Sequence, residues 1–385
     1  VIERHLENQR LRAALDRAPA VVLIGPRQSG KSTLARHVVA PSDDHHFDLE
    51  DPRDLARLGE ATTSLPGLPG TVVIDEAQRL PDLFPSLRVL IDADRRPGRF
   101  LVLGSASPAL IGMASESLAG RVAIVELPGL RPLDLDAAEF GTLWLRGGLP
   151  PSTLAADDGA SAAWRDDYVS TFLERDLANL GIRTPAITMR RFWTMLAHLH
   201  GQTWNGAELG RALGVTAPVV RRHLDALTDA LVVRQLTPWY ANLGKRQVRS
   251  PKIYVRDTGL LHRLLGITDE VSLLGHPKVG ASWEGFVIEQ LVTMLDERDP
   301  SFWGTQSGAE IDLRVMVDDR AVGIEVKRTD RPRTTRSMHT AIDDLGLDHL
   351  LVAHAGVLVF PLTDRITAVP AAQLLRSDIR TFLPT

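Results

Sequence analysis

Gly25-Pro26-Arg27-Gln28-Ser29-Gly30-Lys31-Ser32 is the stretch whose reading decides the fold. It has the pattern G-x-x-x-x-G-K-S, that of a backbone loop that wraps a phosphate. Ala20-Val21-Val22-Leu23-Ile24 precedes it, a small and β-branched apolar run that predicts a fully buried parallel strand. Thr33-Leu34-Ala35-Arg36-His37-Val38-Val39 follows with helical spacing. Strand, loop and helix N-terminus bring successive N–H groups and the positive end of a helix to one point. Gly25 and Gly30 are expected to take backbone angles that a side chain forbids.

A second apolar strand, Thr71-Val72-Val73-Ile74, ends in Asp75-Glu76. An acidic pair at a strand end is a metal and water site when it accompanies a phosphate loop. Ser32 is expected to ligate Mg²⁺, Asp75 to hold the ion through its water shell, and Glu76 to polarise the attacking water. Lys31 is expected on the β- and γ-phosphate oxygens. Gly25, Pro26, Arg27, Gln28, Ser29, Gly30, Lys31, Ser32 and Thr33 are the expected contacts of ATP. A third strand, Phe100–Leu103, leads into Gly104-Ser105-Ala106-Ser107; Ser105, with Ser107 as the rival, is placed to sense the γ-phosphate. Arg121, between a helix and the strand Val122–Leu127, stands where an arginine finger projects into a neighbour's site. The other reading of Arg121 is a helix C-terminal charge. As a finger it implies a homo-oligomer, since it acts in trans.

The chain has 385 residues, enough for two or three domains, and a net charge of -4. No apolar run approaches the ~20 residues of a membrane span, and no leader pattern precedes the first helix. With no cysteine there is no disulfide or thiolate zinc site, so a bound metal must use oxygen or imidazole ligands, favouring Mg²⁺ or Mn²⁺. These features fit a cytoplasmic protein with no membrane contact. The charge is uneven: Gly181–Leu260 holds twelve basic and four acidic residues, the signature of a polyanion-binding module. Cations are nearly all arginine. The five lysines are Lys31, Lys245, Lys252, Lys278 and Lys327, and a chain that spares so few is expected to keep them where a compact ammonium is needed.

Gly-Pro-Arg-Gln-x-Gly-Lys-Ser, Val-Ile-Asp-Glu-Ala-Gln, Leu-Gly-Ser-Ala-Ser and Glu-Ser-Leu-Ala-Gly-Arg together resemble bacterial and archaeal AAA-type ATPases that carry a C-terminal domain of unknown function. The likeness continues in Phe172–Leu177, Ser250–Tyr254, Asp257–Leu260 and Gly308–Asp312, so it spans nearly the whole chain. Within it Arg175 is either a lid-side sensor or a partner of Glu174 or Asp176. The domains expected are an α/β P-loop AAA-type ATPase with a parallel sheet at 1–130, a helical connector or lid at 131–180, a winged helix-turn-helix at 181–268 and a restriction-endonuclease-like α/β domain at 269–385.

In the basic middle, Glu208–Leu213, Gly214-Val215 and a helix capped by Thr216 make a helix-turn-helix. Val220, Leu224 and Leu227 form the inner face, and Arg221, Arg222 and His223 the outer one. Leu231–Leu236 and Ile253–Val255 are the expected wing strands, with Asn242–Arg246 near the tip. Residues 205–256 thus present a DNA-binding layout, helix to groove and wing to phosphates; the same module elsewhere packs as a lid or binds protein.

In the last third a helix carries Glu284, and Glu310–Val317 and Ala321–Lys327 read as a hairpin. Residues two apart share a strand face, so Glu325 and Lys327 point together, with Asp312 beside them on the neighbouring strand. This set resembles the restriction-endonuclease-like core. The resemblance implies Mg²⁺ or Mn²⁺ at Asp312, Glu325 and Glu284, and Lys327 acting on the attacking water. Gly304 stands where that family has a cation, and Arg331, Arg333 and Arg336 form either a DNA rim or a solvated face. Two functions follow: an ATP-controlled DNA-cleaving or -processing enzyme, or an ATP-driven switch whose last domain only binds nucleic acid or protein.

Overall fold

The computed structural model describes residues 2–39, 45–105, 108–177, 184–240, 248–297 and 299–384. It divides into two compact units. The first is built on Val1–Gly129 and also takes in Asp229–Leu231 and residues 179–181; the second is built on Leu130–Ala178, Ile182–Thr228 and Val232–Thr385.

Five strands build the first unit: β1 (Ala20–Gly25), β2 (His46–Asp48), β3 (Val72–Asp75), β4 (Phe100–Ser105) and β5 (Val122–Glu126). They form one parallel sheet in the order β2-β3-β4-β1-β5. β1 is buried along its whole length because helices cover both sheet faces. Val22, Ile24, Val72, Ile74, Phe100 and Val102 pack under the helices Leu83–Ala93 and Pro108–Ser117. Val21, Leu23, Val73, Leu101 and Leu103 face Leu11, Ala14, Leu34 and Ala35 on the helices His5–Arg17 and Lys31–Val38. Each buried Val, Leu or Phe contributes roughly 1.5–3 kcal/mol, which is why the strand is apolar at every position rather than alternating. All five strands run the same way, so the loops after β1, β3 and β4 emerge together at the carboxyl edge of the sheet, where open α/β sheets bind ligands. After β2, Pro52 starts a short helix, Pro52–Arg57, which Asp51 caps by accepting from the Arg53 backbone N–H at 2.8 Å.

The second unit carries a nine-stranded sheet. Its strands are β6 (Gln202–Thr203), β7 (Val233–Pro238), β8 (Lys252–Val255), β9 (Ser301–Gly304), β10 (Glu310–Val317), β11 (Arg320–Lys327), β12 (His349–His354), β13 (Phe360–Thr363) and β14 (Ile366–Pro370). The order is β13-β14-β12-β11-β10-β9-β7-β8-β6. The predicted hairpin is β10–β11, turned by Asp318 and Asp319 at φ 47° and 63°, positive as a two-residue hairpin turn requires. The expected wing strands are β7 and β8, the first shifted two residues along the chain. The sequence did not reveal that β7 also pairs in parallel with β9, joining Thr237 to Ser301 and Pro238 to Phe302. The strands that flank the helices 206–213 and 217–229 therefore share one sheet with the β10–β11 hairpin.

A buried ion triad locks that union. Glu289, on the helix Val279–Leu295, accepts from Arg234 on β7 at 2.6 and 3.0 Å and from Arg256, just after β8, at 2.7 Å. Burial alone raises the Glu289 carboxyl, but the two guanidiniums outweigh it and hold it at about 2. The folded value lies below the unfolded one of ~4.3, so this stabilisation is full above the unfolded value and is lost as pH falls through about 2. Glu289→Ala leaves two half-buried guanidiniums without their carboxylate. It is expected to cost ~3–5 kcal/mol in a denaturant titration; a loss below ~1 kcal/mol contradicts the locking role.

Candidate functional site

At the carboxyl edge of the first unit's sheet the phosphate loop takes its shape from two different glycine requirements. Gly30 has φ +93° and caps the helix Lys31–Val38, as expected. Gly25 does not have a positive φ. A Cβ there would sit 2.5 Å from the Leu127 carbonyl oxygen and 3.0 Å from Ser29 Oγ, so close approach, not backbone angle, demands glycine. Gln28 is a non-glycine residue at φ 61°. Arg4, which the sequence reading passed over, braces the loop from below. It is buried and donates to the backbone oxygens of Ser29 at 3.3 Å, Pro128 at 3.0 Å and Gly129 at 2.7 Å.

Lys31 is buried, and its ammonium donates to the Gly25 and Pro26 carbonyls at 3.1 and 2.9 Å. Burial pulls it down to about 8, against the pull of Glu76 and Asp75, and Arg27 acts in the same direction as burial. Ser32 Oγ donates to Asp75 Oδ2 at 2.5 Å, joining the loop to the end of β3. Pro26 and Arg27 are half-buried, Thr33 is exposed, and the buried Ser29 hydroxyl has no partner among the described residues. The Ser29 hydroxyl is thus a donor in the loop that the described residues do not use up.

Glu76 follows Asp75 at φ 55°, a left-handed conformation of the kind that clusters at working sites. Burial, reinforced by the Asp75 charge, raises its carboxyl and makes it the better base. Gln78 Nε2 donates a short hydrogen bond to Glu76 Oε2 and so aims it. The Ala77-Gln78 pair after the acidic motif was the available signal for this positioning residue. Ser105 lies beside Gly25 in the β1–β4 register, at the mouth of the loop; Ser107 lies outside the described residues.

Arg121 sits at the opposite edge of the sheet, where its carbonyl accepts from the Ala20 N–H. Its guanidinium binds Asp92 at 2.8 and 2.9 Å. It is therefore the full length of β1 away from its own phosphate loop.

In the second unit the helix-turn-helix forms as Gly206–Leu213 and Ala217–Asp229, with Asn205 capping the first helix. Arg211, Arg221 and Arg222 are exposed, and Arg221 also pairs with Asp225 at 2.9 Å. His223 is not on the outer face. It is buried edge-on to the Phe192 ring at 5.7 Å, because it is three and four residues from Val220 and Leu227 on the apolar stripe. Lys245, Arg246 and the rest of the expected wing tip lie outside the described residues. Gly304 ends β9, and Arg331, Arg333 and Arg336 are exposed.

Glu284, Asp312, Glu325 and Lys327 do come together, with Glu310, around the ends of β10 and β11. Asp312 and Glu325 are buried. Asp312 Oδ2 accepts from the Val326 backbone N–H at 2.8 Å, and Lys327 binds Glu325 at 2.5 Å. Burial, then the Asp312 charge, raises both Glu284 and Glu325. Two residues from β8 that the sequence reading did not assign here enter the same cluster. Tyr254 donates to Glu284 Oε1 at 2.6 Å. Lys252 reaches Glu284 at 3.4 Å, Asp312 at 3.5 Å and, closer still, Glu310.

The first unit's loop, acidic strand end and parallel sheet define an AAA-type ATPase domain, and residues 17–134 match the AAA domain family. Residues 137–271 and 279–374 match two domains of unknown function, DUF8612 and DUF4143. The chain is 59% identical over 375 residues to the uncharacterized protein Rv2008c of Mycobacterium tuberculosis, covering 97% of this chain and 85% of the relative. The uncharacterized protein Mb2031c of Mycobacterium bovis matches to the same extent. The chain belongs to their family, AAA-type ATPases with a C-terminal domain of unknown function. Among solved structures, the Walker-type ATPase PABY2304 of Pyrococcus abyssi is similar at TM-score 0.48 and 16% identity, over 69% of this chain and 96% of that one. No described helix is long and apolar enough to cross a membrane.

Proposed function

We propose that the chain hydrolyses ATP at the Lys31–Glu76 site within an oligomer, and that the nucleotide cycle switches a nucleic-acid-binding second unit. The observation that carries the reading is the joining of Ser32 to Asp75 at 2.5 Å beside a carboxyl, Glu76, raised by burial. Mg²⁺ fits there, since a hydroxyl and a carboxylate converge at 2.5 Å, the Asp75 carboxylate has only neutral donors, Ser32 and the Glu76 N–H, and no ion pair among the described residues; Ser32 and Asp75 would hold it. Bound with ATP, Mg²⁺ supplies charge to the β- and γ-phosphate oxygens. Lys31 exchanges its two backbone carbonyls for phosphate oxygens and regains the charge compensation it lacks. Ser29, Gly30 and the helix N-terminus supply N–H donors. Glu76, aimed by Gln78, takes the proton of the attacking water at its carboxylate, and Ser105 contacts the γ-phosphate from β4.

Arg121 cannot act on its own loop across the sheet, so its role as a finger requires a neighbouring subunit and exchange of Asp92 for phosphate. In the second unit the helix-turn-helix and the β7–β8 pair support a winged-helix reading with DNA as partner, Arg221 and Arg222 facing phosphates. The β10–β11 hairpin with its acidic face supports a restriction-endonuclease-like ancestry. The protein donors already committed around Asp312 favour a switch over a cleaving enzyme.

Lys31→Ala is expected to weaken ATP binding ~10–100-fold, and Arg121→Ala to keep binding but lower turnover by ~10³-fold. Mixing the two inactive variants should restore phosphate release, because the first lends its Arg121 to the second's loop. Mixed oligomers that form, shown by pull-down through two tags, yet stay inactive contradict the trans finger. Arg221→Ala with Arg222→Ala should weaken DNA binding and flatten the salt dependence of log K by about 2; an unchanged slope removes this helix from the interface.

A further inference from the structure

The acidic cluster of the second unit holds a cation of its own. A divalent metal needs several oxygens from different groups turned on one point, with room for waters. Among the described residues no three acidic or imidazole side chains are so arranged. Three of the inward oxygens are taken instead by protein donors, while Glu325 Oε2 is buried with no partner among the described residues and a single oxygen does not make a metal site. Asp312 Oδ2 accepts from the Val326 N–H at 2.8 Å, Glu325 Oε1 from Lys327 at 2.5 Å, and Glu284 Oε1 from Tyr254 at 2.6 Å. Lys252 Nζ then faces three carboxylates: Glu310, the same Glu284 Oε1 at 3.4 Å and the other Asp312 oxygen, Oδ1, at 3.5 Å. An ammonium has three N–H donors, and here it faces three carboxylates. The Lys252 side chain is only 5% exposed, and β8 is held in place by pairing to both β6 and β7. It is an anchored residue of the sheet, not a surface lysine that has swung in.

We infer that Lys252 is the resident cation of this cluster, so that the Glu284–Asp312–Glu325 face takes no divalent metal while the lysine is in place. Phosphodiester cleavage through a metal-activated water is then closed to this unit. The same contacts give the cluster a structural use, since one ammonium joins β8, β10 and the helix Val279–Leu295. The inference rests on the non-cleaving reading of the second unit and supplies its physical cause; it does not depend on ATP turnover.

The test is Mn²⁺ binding to the nucleotide-free full chain, followed by calorimetry and by the electron paramagnetic resonance of free Mn²⁺. Wild type and Asp312→Asn should give the same isotherm at millimolar Mn²⁺. Lys252→Met, which keeps length and removes charge, should gain one site about tenfold or more tighter, lost again in Lys252→Met with Asp312→Asn. A wild-type Mn²⁺ site that disappears in Asp312→Asn overturns the inference, and this comparison stands even if Lys252→Met does not fold. A folded Lys252→Met that binds Mn²⁺ no better than wild type also overturns it. Asp312-dependent Mn²⁺ binding by wild type without DNA cleavage defeats this inference alone, whereas cleavage lost in Asp312→Asn defeats the non-cleaving reading as well.

Discussion

Everything at the nucleotide site depends on β1 being buried on both faces while its last residue touches backbone. Val21 to Ile24 sit between two helical layers, so the strand cannot shift without exposing one core or the other. At its end Gly25 lies so close to the Leu127 carbonyl that no side chain fits. These two constraints fix where the loop begins. Arg4 then ties the loop to the chain leaving β5, and Ser32 ties it to β3. The groups proposed to act on ATP inherit their positions from the register of the sheet, not from the loop's own rigidity.

Two lysines show how the same side chain serves opposite ends. Lys31 is buried against carbonyls, with carboxylates near but not bonded, and burial wins: its ammonium is held down at about 8. It is a cation short of a counter-charge, which is what a triphosphate supplies. Lys252 is also penalised by burial, but Glu284, Asp312 and Glu310 outweigh the penalty and raise it. It has its counter-charge already and is stable as a closed network. One site is left open for a polyanion, and the other is filled from within.

Much of this was legible in the sequence, where local pattern and function coincide. The apolar run of β1 and the Asp75–Glu76 strand end need only a few adjacent residues to be recognised. The two-residue alternation of β10 and β11 is likewise local, so the hairpin and the meeting of Asp312, Glu325 and Lys327 were foreseeable. What was not legible depends on distant contacts. The reason for Gly25 lies at Leu127, and that for Arg4 at Pro128 and Gly129. The pairing of β7 with β9 has no local signature, and without it Lys252 and Tyr254 seem to belong to a wing rather than to the acidic cluster. His223 was misplaced for another reason: its polarity was weighed above its position on the apolar stripe. The scarcity of lysine was a usable clue, since Lys252 stands in the same short set as Lys31 and Lys327.

If Glu76 acts on water once ATP is bound, wild type and Glu76→Gln will part in phosphate release and not in ATP affinity. Glu76→Gln should bind ATP within a few-fold of wild type and lose steady-state turnover by ~10²–10⁴-fold, leaving ATP trapped on the protein. Phosphate release by Glu76→Gln at the wild-type rate would contradict that role.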